Sequence, residues 1–110
     1  MSVIKLYTGG DFALPLTLDV QGVIEDLTGA TITAQVVDVV RETVVIPSVT
    51  LSDSAEGADW TQGLVVVEID DTAMTGVTYQ GRAYLQLEVL TVGGNVRPYE
   101  VPIAVWRSNL

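Results

Sequence analysis

The sequence predicts an all-β protein, an antiparallel β-sandwich of about seven or eight short strands. Three observations predict it. Apolar and polar residues alternate with period two in one segment after another. Turn-forming residues interrupt these segments at spacings of about 8–12 residues, as in sandwiches. No stretch carries the helical period over any length, and β-branched residues, which suit pleated surfaces, are abundant. At 110 residues the chain is the size of one domain, residues 1–110, able to bury one core.

The elements follow in order. Val3 to Tyr7 is a short strand or an extended arm, with residues 1–8 the candidate arm, and Thr8 to Asp11 is a turn. Phe12, Leu14, Leu16, Leu18 and Val20 then share one face of a strand. Pro15 has no N–H to give, so this strand belongs at an edge or carries a bulge. Gln21-Gly22 is a turn. Asp26-Leu27-Thr28-Gly29 is the turn that sets the register of everything after it: Asp26 and Thr28 can bond nearby amides, and Gly29 permits positive φ. Ala30 to Val40 is a strand with Ile32, Ala34 and Val36 on one face, and Arg41-Glu42 is the tip of a hairpin. Thr43 to Pro47 returns, with a break at Pro47 before Ser48 to Leu51. Ser52 to Asp59 is a polar loop. Trp60 to Asp70 is a strand with Val65, Val67 and Ile69 on one face and Leu64 and Val66 on the other, which suggests burial on both sides or a contact surface. In the connection that follows, Asp71 or Thr72 is placed to cap a turn and Met74 to plug the core. Gly81 to Thr91 carries Ala83, Leu85, Leu87 and Val89 inward; Gly93-Gly94-Asn95 turns the chain. Val96 to Trp106 carries Tyr99, Val101, Ile103 and Val105 inward, with Pro102 marking an edge or bulge, and residues 107–110 form a tail.

Composition excludes much chemistry. Fourteen acidic residues against five basic ones give a net charge of −9. Such a chain is repelled by nucleic-acid phosphates and by anionic membrane surfaces. The absence of Cys and His removes disulfides, thiolate zinc sites, thiol nucleophiles and the commonest general base. No charged segment followed by a long apolar run marks a signal peptide, and no apolar run is long enough to span a bilayer. Synthesis and folding in a cytoplasm are expected.

The order Gly10-Asp11, Pro15-Leu16-Thr17-Leu18, Gly22 and Asp26-Leu27-Thr28-Gly29-Ala30-Thr31-Ile32 resembles a recurrent bacteriophage module. It is similar to the N-terminal domain of phage baseplate upper proteins and related immunoglobulin-like virion domains. Gly63 to Ile69, Asp71-Thr72 and Gly81 to Val89 continue the likeness, which covers roughly residues 9 to 105. The resemblance implies an immunoglobulin-like sandwich with a structural role in a virion, made in the host cytoplasm. Its partners would be other virion proteins of tail, baseplate or capsid, met in symmetric multiple copies. Domains of that family begin longer chains with receptor-binding parts. This sequence ends soon after its last strand, which favours an adaptor, collar or capsid-decoration protein.

No constellation favours catalysis, and no cofactor is expected. Asp70-Asp71 would point to opposite faces of a strand, which suits a solvated cap better than a shared ion. Asp53, Glu56 and Asp59 offer oxygen ligands for calcium in one loop but without the flanking helices of the usual motif. A nucleophilic Ser or Thr would lack a His base. The aromatic residues matter more, because interfaces are enriched in them. Trp60 stands with them, and Trp106 falls on the outward register of the last strand. The candidate interface is therefore Val3, Ile4, Leu6, Tyr7, Pro102 and Trp106. On this reading, removing residues 1–7 leaves the domain folded but impairs assembly. The competing reading is a carbohydrate-binding or host-surface adhesion module, with exposed Trp and Tyr beside a carboxylate.

Overall fold

A computed structural model describes residues 4–8, 10–24, 26–40 and 42–107. Nine strands run through them: β1 Ile4–Thr8, β2 Phe12–Thr17, β3 Asp19–Val20, β4 Val23–Ile24, β5 Thr31–Asp38, β6 Val44–Thr50, β7 Leu64–Ile69, β8 Gly81–Leu90 and β9 Val96–Arg107. A five-stranded sheet in the order β1-β9-β8-β5-β6 faces the β2-β7 pair, and β3-β4 is a small separate hairpin. The fold is an all-β sandwich of the immunoglobulin-like kind. The strand count exceeds expectation because β3 and β4 are two residues each.

The period-two faces meet in the middle. Ile32, Ala34 and Val36 of β5, Ala83 to Val89 of β8, and Ile103 and Val105 of β9 pack towards Val65, Val67 and Ile69 of β7. Phe12, Leu14 and Leu16 of β2 cover them from the other sheet. Each fully buried aliphatic side chain stabilises the fold by about 1.5–3 kcal/mol. Met74 is buried in the same core, in a run of tight turns after Asp70.

Several expectations need correction. One ladder is not antiparallel: β1 runs parallel to β9, from Ile4 opposite Ile103 to Thr8 opposite Arg107. Of the two readings of the N-terminal segment, Ile4–Thr8 takes the strand and not the arm. Leu6 has no exposed surface, so it is core and not interface. Ile4 is half-buried against the same core. Val3 and residues 108–110 lie outside the described residues. The strand expected from Trp60 starts at Leu64, because Trp60–Gln62 is a 3-10 turn closed by Gly63 at φ +70°. A left-handed residue there cannot continue a strand. β5 stops at Asp38, not Val40, because the Asp38 carboxylate accepts from the Glu42 amide at 3.0 Å and the Thr43 amide at 3.4 Å. Asp70, not Asp71 or Thr72, caps the following turn, accepting from the Ala73 amide at 2.9 Å.

The prolines sit where a ladder can spare a donor. Pro15 is in β2, which has a partner on one side only. Pro47 is at the edge strand β6, beside the register shift that separates the pair Ala34–Val49 from Val36–Ile46. Pro98 and Pro102 lie in β9, ahead of the stretch that β1 covers. The β8 ladder passes both without interruption, so their missing N–H groups fall on the uncovered side.

Candidate docking face

The outward register of β1, β9 and β8 places two rows side by side. Lys5, Ala104 and Arg82 are opposite one another across the three strands. Tyr7 and Trp106 form the next row, with Gln80 just ahead of β8 beside them. In-register neighbours share a face, about 4.5–5.5 Å apart at Cβ in an antiparallel pair. Tyr7 is 53% exposed and Trp106 43%. The Lys5 ammonium stands 5.8 Å from the centre of the Trp106 ring, within cation–π range. Ala104 is small, and its row sinks into a groove of about 410 Å³ lined by Lys5, Gln80, Gly81, Arg82, Ala104 and Trp106. One rim is fixed locally. The Tyr79 hydroxyl donates to the Arg82 carbonyl, and its oxygen would meet a Cβ on Gly81 at 3.4 Å. Thr8 ties the other side, its hydroxyl donating to the Trp106 carbonyl at 3.5 Å.

A second groove, of about 610 Å³, lies on the same sheet nearer β5 and β6. Its floor is a polar chain across three strands. The Gln35 amide donates to the Gln86 oxygen at 3.1 Å, and the Gln86 amide donates to Glu100 at 3.1 Å. Glu88 lies along the same wall, diagonal to Glu100. Trp106 and Tyr7 stand beside Lys5, whereas Tyr99 shares the second groove with Glu88 and Glu100.

No family model matches this chain. No curated protein matches it either. Among solved structures, CopC from Methylosinus trichosporium OB3b is similar in outline, over 99% of this chain and 90% of that one, with a TM-score of 0.49 and 13% identity. Likeness at that level carries neither family nor function to this chain.

The remaining expected sites fall as follows. Asp26, Thr28 and Gly29 form a turn in which the Asp26 carboxylate accepts from the Thr28 amide at 3.0 Å and the Thr28 hydroxyl at 2.6 Å. Gly29 has φ +78°. The turn is anchored from beneath: the Leu27 amide donates to the Trp60 carbonyl at 2.8 Å, and both side chains are buried in the core. Trp60 is thus no interface residue. Its indole N–H is buried without a partner among the described residues. Pro102 is exposed beside the face, opposite Tyr84. In the Ser52–Asp59 loop, Asp59 accepts from the Thr61 hydroxyl at 2.6 Å, and no three carboxylates converge among the described residues. A Cβ on Gly57 would lie 3.9 Å from Val66, so the loop covers the outer face of β7.

One feature escaped sequence reasoning. Val23 and Ile24 of the β3-β4 hairpin, and Leu90, Val92 and Val96 around the β8-β9 turn, are exposed. The β8-β9 turn lies against the Gly29 turn, with Leu90 opposite Thr31 and Val92 beside Gly29. The β3-β4 hairpin is tied to β9 where the Tyr99 hydroxyl donates to the Asp19 carbonyl at 3.4 Å. The alternation of both hairpins in sequence is indistinguishable from that of core strands.

Proposed function

We propose that this chain is a non-enzymatic structural module of a bacteriophage virion, a small adaptor that docks on tail, baseplate or capsid proteins. The residue order from Gly10 to Ile32 supports the phage assignment by resemblance. The observation that carries the docking reading is the exposed Tyr7–Trp106 pair beside the open edge of β1. Exposed Trp and Tyr side chains are the residue types that dominate interfaces. β1 is the last strand of its sheet, and among the described residues no backbone hydrogen bond from beyond β9 reaches it. An edge of this kind takes a neighbour or must be blunted.

The expected truncation of residues 1–7 cannot test this, because it removes buried Leu6 and the β1 ladder with it. Point variants can. Trp106→Ala and Tyr7→Ala should fold normally and reduce incorporation into phage particles several-fold. Full incorporation of both would sink the reading.

A second reading has its own observation. The polar groove with Gln35, Gln86, Glu88 and Glu100 offers fixed donors and acceptors of the type that sugars use. A glycan array probed with the isolated protein tests it. Binding lost in Gln86→Ala would favour the adhesion module over the adaptor.

A further inference from the structure

We propose that the groove between Lys5 and Arg82 receives an acidic, partly apolar polypeptide segment of a neighbouring protein. A carboxylate would lie over Ala104, and an apolar side chain would lie against Trp106. The inference rests on the docking reading of Trp106 and names the chemistry of what docks there.

Charge is the first argument. The chain has five basic residues against fourteen acidic ones, yet two of the five face the same groove in one cross-strand row. Neither side chain is paired with a carboxylate among the described residues, and Lys5 stands over Trp106 instead. In so acidic a molecule, unpaired neighbouring cations make a local site of opposite sign. An acidic segment is repelled by most of the surface and attracted here, which fixes where and how it docks.

Shape is the second. Ala104 between two long side chains leaves room for one inserted group, and Trp106 supplies an apolar wall beside it. A guanidinium recognises a carboxylate through parallel N–H donors. Position is the third. The groove is bounded by β1, the last strand of the sheet. A polypeptide leaving the groove meets an unpaired strand edge that its own backbone can use. A sugar acid has no backbone to offer that edge. A nucleic acid would meet too few cations against a net charge of −9.

The test uses the full chain, isotopically labelled, with Trp106 and Trp60 indole N–H resonances assigned by Trp106→Phe. Three probes are titrated: a capped octapeptide alternating Glu and Tyr, its Lys–Tyr counterpart, and trigalacturonate. The Glu–Tyr peptide should shift the Trp106 signal, leave Trp60 unmoved, and weaken as salt is added. Lys5→Gln with Arg82→Gln should reduce its affinity at least tenfold. Ala104→Leu, which fills the groove and keeps both charges, should do the same. No shift with the Glu–Tyr peptide, or an unchanged affinity in both variants, would overturn the proposal. Equal binding of trigalacturonate would replace the peptide with a sugar acid. Self-association through this face, abolished by the double variant, would replace it with a second copy. Particle incorporation separates the two levels. If Trp106→Ala is excluded from particles while the Lys5→Gln, Arg82→Gln variant enters normally, docking stands and the acidic partner falls.

Discussion

Asp26 accepts two hydrogen bonds from Thr28, and both favour its charged form. The Thr28 hydroxyl, then the Thr28 amide, hold its carboxyl below the ordinary value of 3.8. A folded pKa below the unfolded one stabilises the fold above the unfolded value, and that contribution is lost as pH falls through the folded value. A carbon-detected NMR titration should therefore place Asp26 below 3.8, and Thr28→Ala should return it towards 3.8. A wild-type midpoint at or above the ordinary value would contradict the hydrogen-bond account. Three residues on, Gly29 has φ +78°, and a Cβ there would lie 2.7 Å from Val92 Cγ2. Val92 is 75% exposed and can turn away, so the backbone conformation sets the cost. Gly29→Val should lower stability by about 1–3 kcal/mol in urea denaturation. An unchanged midpoint would mean that the turn relaxes at no cost.

The strand β1 is the element whose two faces differ most in environment. Leu6 points into the core with no exposed surface, while Lys5 and Tyr7 point out. Period-two alternation makes both statements true of one five-residue strand. Leu6→Ala should cost about 2–5 kcal/mol, by lost burial and a residual cavity. Tyr7→Ala, two residues on, should cost about 0.5 kcal/mol or less, as surface changes do. Chemical denaturation of the two variants checks the pair. Comparable losses would show that Tyr7 packs structurally and is not available for docking.

Charge acts at the level of the whole molecule. With no His and no Cys, no side chain of ordinary pKa titrates between the carboxylates and the tyrosines. Stability should be flat from about pH 6 to 8. Denaturation midpoints at the two limits should coincide, and a slope between them would reveal a strongly shifted group. At higher pH Tyr99 enters: burial first, then Asp19, pushes its pKa above 10.0 against the opposing Arg97 charge. Its neutral form therefore contributes stability below the unfolded value, lost as pH rises through the folded one.

Strand and turn positions could be read from the sequence because they follow local rules. Alternation fixed which side chains of β5, β8 and β9 face inward, whatever those strands pair with. The Asp26–Gly29 turn was legible because its hydrogen bonds span two residues. Tertiary structure decided whatever depends on partners distant in the chain. Leu6 and Tyr7 look alike in the isolated segment, and only the parallel ladder to β9, about a hundred residues on, separates core from surface. Trp60 and Trp106 are chemically equivalent candidates until the fold buries one under the Asp26 turn and exposes the other. The Lys5–Ala104–Arg82 row has no sequence signal at all, because register between three separate strands creates it.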